Sequence, residues 1–429
     1  MRRFLQLAEE GFAIVALIFY TGGPLTVVIR GGASEGEAGF TAAVGDSGLI
    51  TLVFLLIYAV TFFLLAIRSQ KSFYVASRNI NILLLLGIAG LSVLWSVLPA
   101  RTIQRVVALT GTTLLGLYLP VRYRDPKAFL ILLWRTFGLI LILSILFAVV
   151  LPKYGVMGGL HAGSWRGIYY HKNALGKWMV VSAIIFLLQA NRRGPRNLLP
   201  WAALGLSLVL AIFSKSSAAL LSWFIVVFLF FVVRILRLYY KLMVAVATTS
   251  IALAIIVFGW AMANINFIFG LLGKDPSLTG RTDLWEFVIN IGFRRPWLGY
   301  GYGAFWYGER SASEEVWRAF AWHPPNSHNG FIDIWLMIGF VGALTFAFGF
   351  FANLSGAILL VHQTKTSETL LPLILLIYIA LSNLTESGLM VQNDFFWVIY
   401  VSISYLVPSW LKQQAKDESE ETALLRQLQ

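Results

Sequence analysis

Long apolar segments recur along almost the whole chain, and short polar stretches separate them. A helix needs roughly 20 apolar residues to cross the hydrocarbon core of a bilayer, because it rises only about 1.5 Å per residue. We therefore predict about twelve transmembrane helices. These spans are expected near residues 8–29, 48–67, 79–99, 102–120, 127–151, 173–190, 198–214, 217–235, 242–265, 328–360, 367–384 and 388–408.

The composition agrees with a membrane protein. Of the 429 residues, 58% are hydrophobic and 12% are charged, whereas a typical soluble domain carries about 25% charged residues. The chain has no cysteine, which excludes disulfides and thiolate metal sites. The sequence predicts an all-α polytopic fold with one transmembrane domain at 1–408, a long helical extracytoplasmic loop at 266–327 before the tenth span, and a polar cytoplasmic tail at 409–429.

Arginine and lysine residues cluster in alternate loops, and this alternation predicts the orientation of the chain. Cytoplasmic loops of membrane proteins are enriched in these residues. The basic loops near 68–78, 122–127, 192–196 and 234–241 are therefore expected in the cytoplasm, together with both termini. The net charge of +13 follows from this topology, so we do not predict nucleic-acid binding.

Short loops and helix ends on the opposite, extracytoplasmic face also carry cations: Arg101, Arg105, Arg166, Lys172 and Lys215. This placement is unfavourable for membrane orientation. It predicts that an anionic ligand binds on that face, since arginine pairs well with phosphate and carboxylate groups. The alternative is that these side chains extend to lipid headgroups.

The densest polar cluster, WHPPNSHNG at 322–330, lies where the tenth span begins. His328 falls at the membrane boundary, followed by Asn329. An imidazole with an ordinary pKa near 6.5 is neutral at physiological pH and can accept a proton. His328 is therefore a candidate general base, while a capping or interfacial histidine is the structural alternative. The span that follows is long enough to bend, at Gly339 or Gly342.

A second cluster, LTGRTDLW at 278–285, predicts the start of an interfacial helix with Leu284, Val288 and Ile291 on its apolar face. This places Arg281 near a helix N-terminus, where the helix dipole also favours anions. The turn PWLGYGYG at 296–303 lacks the features of a phosphate loop, so its glycines are expected to allow close backbone packing.

A third cluster, WRGIYYHKN at 165–173, supplies Arg166 and Lys172 as candidate phosphate ligands. His171 competes with His328 for the role of base. Metal binding is not predicted, because the outer segments carry neither an HExxH motif nor a carboxylate cluster. Two isolated acids, Glu386 and Asp333, are expected to orient neighbouring groups.

The pattern that begins at His328, HN-GFIDIWLMI-G-FV-G, resembles the signature of the O-antigen ligases and polysaccharide polymerases, a family of bacterial membrane glycosyltransferases. LTGRTDLW, PWLGYGYG and RGIYYHKNALG resemble its other landmarks in the same order, across roughly residues 90–400. The resemblance implies a GT-C-like fold and an inverting, metal-independent transfer without a cofactor. The implied donor is a glycan on undecaprenyl diphosphate, at the periplasmic face of the bacterial inner membrane.

Within this resemblance, His328 matches the base that deprotonates the acceptor hydroxyl, and Arg281 and Arg166 match arginines that hold the diphosphate. RGIYYHKNALG is more similar to exopolysaccharide polymerases, which favours polymerisation of repeat units with a glycan as acceptor. Ligation of the glycan to lipid A-core, glycosylation of a protein, and a transporter of lipids or solutes remain alternatives. Membrane lipids are the expected surroundings in each case.

Overall fold

The computed structural model describes residues 2–29, 31–32, 48–237, 281–320 and 323–427. Their regular secondary structure is helical, with one isolated antiparallel bridge between Val156 and Trp165. The predicted span at 242–265 lies outside the described residues, as does most of the loop at 30–47 and the segment 266–280 of the long loop.

The helices of the first half are α1 (Arg2–Tyr20), α2 (Leu25–Ile29), α3 (Gly48–Ala66), α4 (Ser69–Ala76), α5 (Ile80–Leu91), α6 (Pro99–Arg122), α7 (Pro126–Val149) and α8 (Pro152–Gly155). Those that follow are α9 (Lys172–Arg193), α10 (Leu198–Phe213), α11 (Ser217–Leu236), α12 (Arg281–Gly292), α13 (Ser313–Ala319), α14 (Gly330–Gln363), α15 (Leu371–Ser382) and α16 (Phe395–Gln427). Every predicted span among the described residues falls on one of these helices or on a consecutive pair.

The described part of the chain is all-helical and has the long apolar helices of a polytopic membrane protein. Among the described residues, α3, α7, α9, α11, α14 and α16 are the six helices long and apolar enough to cross a membrane. A seventh span results if α4 and α5, which are bent by 88° at the break between them, form one unit. Twelve spans and the GT-C-like arrangement stay predictions.

Two predicted spans correspond to short helices. Helix α10 has 16 residues and α15 has 12, which give lengths of about 24 Å and about 18 Å. The hydrocarbon core is about 30 Å thick. Each helix therefore needs its flanking residues, or a thinner membrane, to cross completely.

The ends of two predicted spans also differ in the structure. The span predicted at 8–29 is interrupted, because α1 ends at Tyr20 and α2 begins at Leu25. Pro24 has no N–H group to continue the first helix. The last helix does not stop at the predicted boundary at residue 408 but continues to Gln427, so much of the predicted polar tail is an extension of α16.

Helix α9 forms the centre of the helical bundle. Its residues from Leu175 to Ala190 are almost all buried, and it packs against α7, α10, α11 and α15. A helix that is apolar on every side needs such an enclosed position. The helix therefore fixes the loop before it, which contains Arg166 and His171, against the neighbouring helices.

The polar contacts at the ends of the helices fall into two groups, which we call layers. In one layer Arg68 and Arg122 form ion pairs with Glu9, and these residues belong to the face predicted to be cytoplasmic. In the other layer the Trp95 indole donates to the Leu298 carbonyl oxygen at 2.8 Å. This second layer contains the turn before α14 and the start of α12, with His328, Asn329 and Arg281.

Candidate active site

A break in helix α14 shapes the layer that contains the candidate residues. Ile338 and Gly339 have non-helical backbone angles, and Gly339 is in the left-handed region at φ +67°. The glycine-rich turn replaces the hydrogen bonds that the break removes. The bonds are Tyr300 N–H to Leu336 O at 2.9 Å, Gly301 N–H to Met337 O at 3.0 Å and Phe340 N–H to Pro296 O at 2.8 Å.

The close approach of these two segments requires glycine on both sides. A Cβ atom at Gly339 would lie 2.1 Å from the Trp297 carbonyl oxygen, and one at Gly299 would lie 2.7 Å from the Leu336 carbonyl oxygen. The predicted role of the turn in backbone packing is confirmed. Of the two predicted bend points, Gly339 is the bend and Gly342 stays helical.

His328 lies at the N-terminal end of α14 in a constrained conformation. Its φ angle is +53°, which costs a residue other than glycine about 1–3 kcal/mol. Its N–H group donates to Asn326 Oδ1 at 2.9 Å, which stabilises the turn. The side chain is only 9% exposed, so the imidazole is held in a largely dry environment where a proton acceptor is poorly solvated.

Asn329 caps the helix that follows. Its Oδ1 accepts the N–H groups of Phe331 at 3.0 Å and Ile332 at 3.3 Å, as is usual for an asparagine at this position. Ser327 Oγ donates to the Asn329 carbonyl oxygen at 2.8 Å. The predicted supporting residue therefore fixes the backbone next to His328.

Asp333 connects three parts of this layer, in agreement with its predicted role in orienting neighbours. Its Oδ1 accepts the Trp306 indole N–H at 2.8 Å and the Ser327 N–H at 3.2 Å. Its Oδ2 accepts the Ser387 hydroxyl. A buried carboxylate needs such donors to offset its lost hydration, and here they hold the turn before His328.

Helix α12 brings Arg281 to the same layer. Leu284, Val288 and Ile291 are buried on one face, as predicted. The Trp285 indole, one turn after Arg281, donates to the Ser327 carbonyl oxygen at 2.8 Å. The start of α12 is thus fixed directly against the turn that carries His328.

The segment between α15 and α16 completes this group. Arg281 Nη1 donates to the Thr385 carbonyl oxygen at 3.0 Å. The Gly330 N–H lies 2.9 Å from the Asn383 carbonyl oxygen and 3.2 Å from that of Glu386. A Cβ atom at Gly330 would lie 2.2 Å from Asn383 Oδ1, so only glycine allows this approach. Arg281, His328, Asn329 and Glu386 therefore lie close together at the start of α14.

Arg166 belongs to a different set of contacts. Its guanidinium is fully buried and donates to the carbonyl oxygens of Tyr154 at 2.7 Å, Lys153 at 3.0 Å and Gly32. Burial lowers its pKa from the ordinary arginine value. These bonds tie the loop before α9 to the segment after α2. The predicted contact with diphosphate stays a prediction, and the observed contacts indicate a structural role.

His171 and Lys172 lie beside Arg166 at the start of α9. His171 Nδ1 accepts the Asn173 N–H at 3.2 Å and caps the helix. Burial, the nearby His161 ring and neighbouring cations lower the pKa of His171 to about 4. Lys172 Nζ donates to the Lys215 carbonyl oxygen at 3.4 Å. His171 is thus a weaker base than an ordinary histidine, and its capping bond orients its ring.

Several residues that shape the site were not predicted from the sequence: Trp285, Trp306, Ser327, Asn383 and Ser387. Most of their partners are distant in sequence; the exceptions are the bonds of Ser327 to Asn329 and Asp333 and of Asn383 to Gly388. No local pattern identifies such pairs. The only signal in the sequence was Trp285, which lies one turn after the candidate cation Arg281. A tryptophan at this position is equally typical of a residue that only packs.

Part of the chain is similar to known proteins. The family model described as O-Antigen ligase matches residues 202–347, a range that includes Arg281, the glycine-rich turn, His328 and Asn329. The matched segment, about a third of the chain, is similar to the O-antigen ligase family. Arg166, Lys172 and Glu386 lie outside the matched range.

Two curated relatives are similar to longer stretches of this chain. The chain is 25% identical over 269 residues to the exopolysaccharide production protein ExoQ of Rhizobium meliloti, covering 60% of each chain. It is 27% identical over 216 residues to a Rickettsia felis protein provisionally named a polysaccharide ligase, covering 48% of this chain and 52% of the relative. The match thus spans little more than half of either relative.

Proposed function

We propose that this protein is an inverting, metal-independent glycosyltransferase that moves a glycan from undecaprenyl diphosphate to a sugar hydroxyl. The reaction takes place at the periplasmic face of the bacterial inner membrane, with both termini of the chain in the cytoplasm. Its product is a lengthened polysaccharide, made by joining lipid-linked repeat units. No cofactor takes part.

The observation that supports this proposal is the shared position of Arg281 and His328. Trp285 and Thr385 hold the two residues in one layer through bonds of 2.8 Å and 3.0 Å. Transfer from a lipid diphosphate needs both a base and a group that stabilises the departing charge. A buried imidazole and a cation at the same membrane boundary can supply these two groups.

The proposed step involves two bonds at one carbon atom. His328 takes the proton of the acceptor hydroxyl while that oxygen bonds to the anomeric carbon of the donor glycan. The bond from this carbon to the diphosphate oxygen breaks, and the electron pair leaves with the diphosphate. Arg281 stabilises the developing charge through its planar pair of N–H groups. Attack opposite the leaving group inverts the configuration.

The other candidate residues have supporting roles in the proposed reaction. Glu386 positions the start of α14, because its carbonyl oxygen accepts the Gly330 N–H at 3.2 Å. Lys172 and Arg166 contribute positive potential to the donor's diphosphate, and His171 fixes the N-terminus of α9. The contacts of Arg166 with backbone carbonyls favour an indirect contribution, through the shape of its loop.

Ligation of the glycan to lipid A-core is the second candidate function. The family description and the name of the Rickettsia relative favour it, whereas the name of the Rhizobium relative favours the synthesis of exopolysaccharide. Neither relative is named as a transporter. The two glycosyltransferase reactions share donor and mechanism and differ in their acceptor.

The test uses purified protein in nanodiscs with an oligosaccharide linked to undecaprenyl diphosphate, with and without lipid A-core. A ladder of products from the donor alone, unchanged in EDTA, is the expected result. A single shifted band that requires lipid A-core would replace the polymerase with the ligase. A donor that is not consumed by folded protein would contradict both, and activity lost in EDTA and restored by a metal would contradict the metal-independent step.

A further inference from the structure

The segment between α15 and α16 has a second half that the proposed reaction does not use. Its first half, around Thr385 and Glu386, contacts Arg281 and α14. The second half runs through Met390 and Asn393, which both have positive φ angles, +50° and +61°. Such conformations in residues other than glycine are concentrated at ligand sites, where the surrounding structure holds them in place.

A set of polar contacts fixes this second half against the membrane helices. The Tyr58 hydroxyl of α3 donates to Asn393 Oδ1, and the Asn393 N–H donates to Thr112 Oγ1 of α6 at 2.9 Å. Tyr58 and Asn393 are both half-buried. Both residues therefore keep some exposed surface, while these bonds fix their positions.

Tyr302, from the glycine-rich turn, joins the same group. Its hydroxyl donates to the Met390 carbonyl oxygen at 2.5 Å and lies 3.2 Å from Gln392 Oε1. Burial raises the pKa of Tyr302, so its phenol remains a proton donor. Since the Tyr302 side chain is fully buried, its role is to orient Gln392, which is half-buried.

Arg105 adds a cation to this group. A Cβ atom at Gly303 would lie 2.7 Å from Arg105 Cγ, so the absence of a side chain at Gly303 lets the arginine pass close to the turn. The charge of Arg105 acts on the phenol of Tyr302. Arg105 is one of the cations on the extracytoplasmic face, where the rules of membrane orientation disfavour them. Its side chain is half-buried.

We propose that Arg105, Tyr58, Gln392 and Asn393 form a glycan-binding subsite next to the Arg281–His328 site. The inference rests on the proposed function and deepens it. An amide and a guanidinium supply fixed donors and acceptors that match pairs of sugar hydroxyls, and a phenol ring offers a flat surface to a sugar face. One continuous segment, 383–394, connects the two sites. Sugars beyond the reacting residue would therefore bind at the second site.

The test compares two variants with a matched control on the same helix. The variants are Gln392→Ala and Arg105→Lys. The control is Gln104→Ala, at an exposed glutamine on the same helix that has no place in the proposed subsite. We expect the two variants to raise KM for the glycan about tenfold, as loss of a hydrogen bond to a charged or polar partner does, with kcat within about twofold of wild type.

Measuring KM separately for donor and acceptor identifies which glycan occupies the subsite. A KM raised only for the donor assigns the subsite to the donor's sugars, and one raised only for the acceptor assigns it to the acceptor. Unchanged KM for both substrates, with unchanged thermal midpoints, would overturn the proposal. An equal effect on a donor carrying a single sugar would overturn it too, because Arg105 would then serve the diphosphate.

Binding of the free, lipid-less oligosaccharide, measured by calorimetry, separates this inference from the proposed function. If wild type consumes no donor but binds the oligosaccharide more tightly than Gln392→Ala does, the subsite stands and the proposed reaction falls. If wild type is active and binds the oligosaccharide no better than the variant, the reaction stands and the subsite falls.

Discussion

Arg281 donates a guanidinium N–H to the Thr385 carbonyl oxygen at 3.0 Å, and this bond connects the start of α12 to the segment that supports α14. The contact leaves Arg281 partly exposed and next to the turn that carries His328. A carbonyl oxygen holds the side chain in place without neutralising it, so the positive charge stays available to an anionic substrate. Arg166 shows the opposite arrangement, since its guanidinium is fully buried against backbone carbonyl oxygens.

Replacing His328 should stop transfer without unfolding the protein. We expect His328→Ala and His328→Asn to lower kcat at least about 10²-fold, the usual contribution of a general base. Asparagine tolerates the positive φ angle at this position, so the second variant removes the imidazole and keeps the backbone. The control is His323→Ala, at an exposed histidine that stacks on Trp317. Turnover of lipid-linked donor at the wild-type rate in His328→Asn would exclude this residue as the base.

Replacing Arg281 with lysine should not be conservative. Lysine keeps the charge but loses the planar pair of donors that fits a phosphate group. We expect kcat to fall about 10²-fold, as when a single oxyanion donor is removed. Arg318→Lys is the matched control, because Arg318 is exposed and pairs with Glu314. Equal initial rates for the two variants would argue against a diphosphate contact at Arg281.

Replacing Gly339 with alanine should destabilise the fold. The position has φ +67°, and the added Cβ atom would lie 2.1 Å from the Trp297 carbonyl oxygen. We expect a loss of at least about 2 kcal/mol in the free energy of unfolding, seen as a lower thermal midpoint in detergent. Gly138→Ala is the control, since a Cβ atom there meets nothing within 4 Å. Similar midpoints for both variants would contradict the tight packing between the turn and the helix break.

The depressed pKa of His171 predicts a dependence of stability on pH. The pKa falls from 6.5 in the unfolded chain to about 4 in the folded protein. Between these values the unfolded chain binds more protons, so the free energy of unfolding decreases as the pH falls from about 7 towards 4. The contribution that is lost is about 1–3 kcal/mol.

His171→Gln removes this titration and should flatten the curve of thermal midpoint against pH between pH 7 and pH 5. The matched control is Gln363→Ala, at an exposed side chain that does not titrate, and it should keep the wild-type slope. Identical slopes for wild type and His171→Gln would mean that His171 titrates normally in the folded protein.

The sequence by itself determined the positions of the helices and the chemistry of the candidates. Apolar length, helical spacing and glycine placement are local properties, so they predicted α3, the buried face of Leu284, Val288 and Ile291, and a bend at either Gly339 or Gly342. The general-base prediction at His328 rested on residue type and position in the same way.

Only the tertiary structure decided which candidates share a site. The bonds from Arg281 to Thr385 and from Gly330 to Asn383 join segments far apart in the chain, and the burial of Arg166 follows from carbonyl oxygens in two other segments. A hydrogen bond between distant segments depends on how helices pack, and a local pattern of residue types does not contain that information. For the same reason the sequence alone did not explain why α1 ends early or why α14 breaks. The groups that surround these points in the folded protein provide the explanation.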